Sequence, residues 1–221
     1  MTDLGIYVFC KNEENLIVPC VKSLVDFFGY DRVTVVDLGS EDDTLKRLGT
    51  LGGVSLHKVA TTPETYPSLK NLYAKNYEWA FLVDGDEIYP KESLIRVQEL
   101  IDSKEFDAYR VGWKVLRYEN HIISCTNIII NGCKLYKSST LKFRRPWPVE
   151  VQHGPGIKEP KKDNGLWSWH GKLLNRSRIH TDKIREDKKE NYPERLEVEH
   201  GVKWSRLLDY PWDSPEVGLY V

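Results

Sequence analysis

Three apolar runs in the first 85 residues each end on a polar or acidic residue, and this repetition constrains the fold more than any other feature of the chain. They are Ile6-Tyr7-Val8-Phe9, residues 32–37 (RVTVVD) and residues 79–84 (WAFLVD). Each is continuous rather than alternating and rich in β-branched or aromatic residues, the pattern of a strand covered on both faces. After the first run, Leu16, Cys20, Leu24 and Phe28 recur four apart, which is one face of an amphipathic helix. Gly39 and Ser40 open a turn, residues 42–48 read as a short helix begun by acidic residues, residues 54–59 as a strand and residues 66–77 as a helix. Strands alternating with helices in this way predict parallel βαβ units with right-handed crossovers.

Beyond residue 105 the pattern changes. Residues 109–116 and 134–136 read as longer strands with aromatic and β-branched content. Residues 146–176, rich in Pro, Gly and Trp, read as a loop-dominated stretch lying over a site. Residues 181–200 are charge-dense and suit a surface helix that Pro193 must start, kink or end. No internal repeat or low-complexity linker divides the 221 residues, and a chain of this length buries a core without staples.

Composition excludes several classes. The formal net charge of −1 advertises no polyanionic partner. Residues 134–190 are different, with 15 Lys and Arg against seven Asp and Glu, a net of +8. That segment is either a solvated face or a surface that meets phosphate. Cys10, Cys20, Cys125 and Cys133 show neither CxxC pairing nor zinc-ligand spacing, so reduced thiols and a cytoplasmic location are expected. The sequence opens without a basic leader and an apolar stretch behind it. No apolar run approaches the roughly 18 residues that span a bilayer, and no stable membrane insertion is expected.

The chemistry concentrates where the apolar runs stop. Asp84-Gly85-Asp86-Glu87 sets two carboxylates one small residue apart, directly after a buried strand. Carboxylate oxygens are the hard ligands that Mg2+ and Mn2+ prefer, and such ions share their coordination with substrate phosphates. Asp37, followed by Leu38-Gly39-Ser40-Glu41-Asp42-Asp43-Thr44, stands at the end of the second run, where a carboxylate can accept hydrogen bonds from a base or ribose. Ser40 and Asp42 can equally cap the next helix. The first run leads into Lys11-Asn12-Glu13-Glu14-Asn15, which is no Gly-rich phosphate cradle; neither the dinucleotide fingerprint nor the P-loop applies, which counts against NAD enzymes and ATPases.

Together, the KNEE of residues 11–14, the VVDLGSEDDT of residues 35–44 and the DGDE of residues 84–87 resemble, in order and spacing, the GT-A glycosyltransferases of the family-2 type. The resemblance covers roughly residues 5–100. It implies a Rossmann-like α/β fold with a mixed central sheet, its nucleotide-sugar-binding half over residues 1–105 and an acceptor-binding half with a C-terminal elaboration over residues 106–221. It also implies an inverting transfer from a nucleoside-diphosphate-sugar to a hydroxyl acceptor on a glycan, lipid or other molecule, with Mn2+ or Mg2+ bridging the donor diphosphate. Asp86 then stands as the direct metal ligand, Asp84 on the ribose or a metal-bound water, and Asp37 with Lys11, Asn12 and Glu13 around the nucleoside. Many relatives carry a second acidic residue where this chain has Leu38.

A departing diphosphate gathers negative charge that a metal can neutralise, and the acceptor hydroxyl needs a carboxylate to take its proton. Glu150 is the candidate base, although Val149 stands where relatives often carry His, and Glu150 can instead pair with Arg144 or Arg145. His170 is the candidate further metal ligand and His153 its competitor. Lys172, Arg176 and Arg178 can meet the diphosphate or form a solvated basic face, and Trp147, Trp167 and Trp169 can form an acceptor platform or pack in the core. Two other readings stand beside this one: a non-catalytic relative that binds a nucleotide-sugar or glycan, and a transferase with a nucleic-acid acceptor. Intact Asp84, Asp86 and Glu87 argue against the first, and the lack of an aromatic-interleaved basic motif against the second.

Overall fold

A computed structural model describes residues 3–62, 64–119, 122–125, 129–140, 142–144, 151–153 and 160–170, with side chains for 3–62, 64–114, 133–140, 142–144 and 160–169. The chain opens with strand β1 (Leu4–Cys10), helix α1 (Ile17–Phe28), β2 (Val33–Asp37), α2 (Thr44–Leu48), β3 (Ser55–Lys58), α3 (Tyr66–Ala74) and β4 (Trp79–Asp84). A two-residue β5 (Glu87–Ile88) and α4 (Lys91–Ser103) follow. Then come β6 (Ala108–Glu119), β7 (Ile122–Cys125), β8 (Ile129–Lys137), β9 (Lys142–Arg144), β10 (Val151–His153) and β11 (Lys161–His170).

The main sheet runs β3-β2-β1-β4-β8-β6-β11-β5, with β7 paired to β6, and β9 and β10 form a separate ribbon. Pairing is parallel from β3 to β4 and between β6 and β11, and antiparallel where β8 and β5 join, so the fold is mixed α/β. All seven residues of β1 are buried, as its unbroken apolar run predicts. Its side chains alternate between two cores. Leu4, Ile6, Val8 and Cys10 meet α1 and α4, while Tyr7 and Phe9 meet α3 on the opposite face. Gly5 lets Tyr77 lie across the strand: a Cβ there would stand 2.4 Å from the Tyr77 ring.

Winding reverses beside β1. The chain steps outward from β1 to β2 and β3, then returns through α3 to set β4 on the other side of β1. Doubly wound sheets bind ligands at such a switch point, in the crevice beyond the carboxyl ends of the strands.

The second half departs from expectation within residues 146–176, where residues 151–153 form β10. Residues 161–170, expected within a loop, form β11, a ten-residue strand inside the sheet. Trp167 and Trp169 lie 9% and 2% exposed in the core, so for these two the packing role holds and an acceptor platform does not. Trp147, Lys172, Arg176, Arg178, the helix expected over residues 181–200 and most of the basic segment lie outside the described residues.

Candidate donor site

The loops after β1, β2 and β4 meet at the switch point and are tied through their backbones. Gly85 N–H donates to the Phe9 carbonyl at 2.9 Å, and Leu38 N–H to that of Cys10 at 2.9 Å. Gly85 is the contact point. A Cβ placed on it would fall 2.6 Å from the Cys10 Cβ and 3.2 Å from Glu13 Cγ, closer than packed carbons allow. The small residue between the two aspartates is therefore what lets the β4 turn seat on the end of β1.

The loop after β1 is zipped to the loop after β2. Asn12, with φ of 57°, donates its N–H to Ser40 Oγ at 2.9 Å and accepts from Glu41 N–H through Oδ1 at 2.8 Å. Glu13 N–H donates to Thr44 Oγ1 at 2.8 Å, and Glu14 exchanges bonds with the Asp42–Asp43 turn. Ser40 and Asp42 thus hold the neighbouring loop besides shaping their own turn. Asp37 is only 2% exposed, and its carboxylate accepts the N–H groups of Gly39 and Ser40 at 3.2 Å. Lys11 is exposed, whereas Asn12 and Glu13 are buried.

At the β4 end, the Asp84 side chain is 42% exposed and Asp86 is 6% exposed. Glu87, fully buried, turns back under the aspartates: Oε2 accepts from Asp84 N–H at 3.1 Å and from the Tyr89 hydroxyl at 3.0 Å, and Oε1 accepts from Trp113 Nε1. The Lys134 ammonium reaches both acids, 2.6 Å from Asp84 Oδ2 and 2.6 Å from Glu87 Oε1. Burial alone would lower the pKa of this lysine, yet the two carboxylates raise it above the ordinary lysine value, so it is a cation at any working pH. Burial, followed by the Glu87 charge, pushes the Tyr89 phenol and the Cys20 thiol well up, which keeps both protonated beneath the site. The Cys20 thiol donates to the Asp84 carbonyl at 3.6 Å.

Sequence reasoning named Asp84 and Asp86 but neither Lys134 nor the roles of Glu87 and Trp113. One signal was present, since a lysine inside the apolar strand run Cys133-Lys134-Leu135-Tyr136 must find a partner when buried. Among the expected residues, Glu150 lies outside the described residues. His170 ends β11 with its backbone in register with Glu87, and His153 pairs with Lys142 in the separate ribbon; neither side chain is described.

Among the described residues, no group of three or more His, Cys, Asp or Glu side chains is arranged to hold a metal ion. Two hard carboxylates on a tight turn fit the other mode of Mg2+ and Mn2+ binding, in which one or two carboxylates share the ion with substrate phosphates. No helix of the described residues is long and apolar enough to cross a membrane.

No protein family matches the chain, and no curated protein does. Among solved structures, TarS of S. aureus (residues 1–349) is 23% identical over 54% of this chain and 38% of its own length, with a TM-score of 0.44. Glucosyl-3-phosphoglycerate synthase from Mycobacterium tuberculosis, in complex with Mg2+ and uridine diphosphate, is 21% identical over 51% of this chain and 44% of its own, with a TM-score of 0.42. The same synthase with Mn2+, uridine diphosphate and glucosyl-3-phosphoglycerate is 20% identical over 54% and 45%, with a TM-score of 0.39. The chain spans less than half the length of each.

Proposed function

We propose that this chain is a metal-dependent glycosyltransferase of the GT-A, family-2 type, moving a sugar from a nucleoside-diphosphate-sugar to a hydroxyl acceptor. The observation that carries the reading is the Asp84-Gly85-Asp86 turn, set at the carboxyl end of β4 on the topological switch point and pressed against the end of β1. A nucleotide is what that crevice holds in doubly wound sheets, and adjacent carboxylates are what a phosphate-bound divalent ion requires.

In this reading Asp84 and Asp86 hold Mn2+ or Mg2+, with His170 a further ligand, and the ion supplies charge neutralisation for the departing diphosphate. The loop of Lys11, Asn12 and Glu13 and the turn built on Asp37 form the nucleoside side. Asp37 works there by holding the Gly39 and Ser40 amides rather than by offering a free carboxylate. Glu150 takes the proton of the acceptor hydroxyl as its oxygen bonds to the anomeric carbon. The bond from that carbon to the diphosphate oxygen breaks with its electron pair, which inverts the centre.

The test is a panel of nucleotide-sugars with Mn2+, scored by melting shift and by slow donor hydrolysis, on wild type and Asp86→Asn. One donor is expected to raise the melting temperature and to be hydrolysed, with both effects lost in the variant. If neither a donor nor a free nucleoside diphosphate shifts the protein in the presence of metal, the reading fails.

A further inference from the structure

Resting on that donor-site reading, we propose that Lys134 is a positioning residue for the metal: its ammonium, 2.6 Å from Oδ2, fixes the orientation of the Asp84 carboxylate that would hold the ion. Three observations carry this. The first is how the lysine gets there. Tyr109 pairs with Leu135 and Arg110 with Cys133, so Lys134 is the extra residue of a β-bulge in β8. Bulges beside functional sites re-aim a side chain that regular pleating would send elsewhere. The second is the division of its bonds, since one ammonium lies 2.6 Å from an acid at the site and 2.6 Å from an acid in the core.

The third is that Glu87 is well supplied already. It accepts from the Asp84 amide, the Tyr89 hydroxyl and the Trp113 indole before the lysine is counted. A lysine whose purpose was to satisfy Glu87 would have no need to reach Asp84. The arrangement reads instead as a chain of support, in which Trp113 and Tyr89 fix Glu87, Glu87 fixes Lys134, and Lys134 fixes the half-exposed Asp84. Outer partners of this kind orient metal ligands, and their loss typically weakens metal binding about 10- to 100-fold.

The test separates orientation from charge. The double variant Lys134→Met/Glu87→Gln removes one positive and one negative charge, so the net charge of the site is unchanged and neither partner is left buried alone. Mn2+ binding is titrated calorimetrically in the presence of uridine diphosphate, and folding is followed by circular dichroism. The expected result is a folded double variant whose Mn2+ affinity is lower by about tenfold or more. Mn2+ affinity within about twofold of wild type overturns the proposal. Should the double variant not fold, Trp113→Phe decides in its place: it removes a support of Glu87 but no charge. Weakened Mn2+ binding there supports the positioning role, and a melting shift with unchanged Mn2+ binding overturns it. A wild-type protein that binds neither Mn2+ nor uridine diphosphate overturns the donor-site reading itself, and this inference with it.

Discussion

The identity of one small residue decides whether the acidic turn can exist in its observed place. Replacing Gly85 by Ala puts a methyl group 2.6 Å from the Cys10 Cβ and 3.3 Å from its Cα, and neither atom is the movable end of a side chain. Either β1 and β4 separate at their carboxyl ends or the turn lifts away, and overpacking of this kind costs about 1–3 kcal/mol. Gly85→Ala is therefore expected to lower the urea midpoint and to weaken Mn2+ binding together, although no carboxylate is touched. Unchanged urea unfolding would show that the turn seats elsewhere. At this scale the sequence was informative where chemistry and chain geometry coincide, as in Asp84-Gly85-Asp86. For Lys134 it signalled only that a lysine in an apolar run needs a partner, not which one, because a bulge arises from the register of β6 against β8 and leaves no mark in either strand.

Among the elements, β11 shows what local composition conceals. Gly, Pro and Trp suggested loop, yet residues 161–170 form a strand because α4 and β6 provide a slot for it. A register shift between Lys162 and Trp167 makes room for Asp163 and Gly165, and α4 clamps that shift. Arg96 grips Asp163 with two bonds, at 3.1 and 2.8 Å, while Ser93 Oγ donates to the Gly165 carbonyl and accepts the Trp167 N–H. The guanidinium holds the Asp163 carboxyl below its usual pKa, against the opposing effect of partial burial. A depressed folded-state pKa means stability that is full above the ordinary aspartate pKa and is lost as pH falls through the lowered value. Arg96→Met is expected to melt a few degrees below wild type at neutral pH, since a partly exposed pair contributes about 1 kcal/mol or less. The gap should narrow as the pH is taken from about 5 toward 2. A gap that stays constant across the titration would assign the loss to packing of the arginine stem instead.

For the whole molecule, the winding reversal beside β1 also sets where stability and binding divide. β1 is buried along its entire length, while all four residues of β3 are exposed at the edge of the sheet. Amide exchange follows local opening, so β1 and β4 are expected to be protected to nearly the global unfolding free energy and β3 far less. The site stands at the ends of buried strands but is made of the loops beyond them, and those loops have most to gain from a ligand. A nucleotide at 100 times its dissociation constant stabilises the folded chain by about 2.7 kcal/mol. If Mn2+ and uridine diphosphate bind at the switch point, added exchange protection should concentrate in residues 11–15, 38–44 and 84–87, with α4 and β3 changing only by the global amount. Protection centred on β3 or on the amino-terminal ends of the parallel strands would place the nucleotide at the wrong edge of the sheet and remove the geometric basis of the proposed function. The Gly85 contact and the loop zipper from Asn12 to Thr44 join these three segments into one unit, so they are expected to slow together rather than one by one.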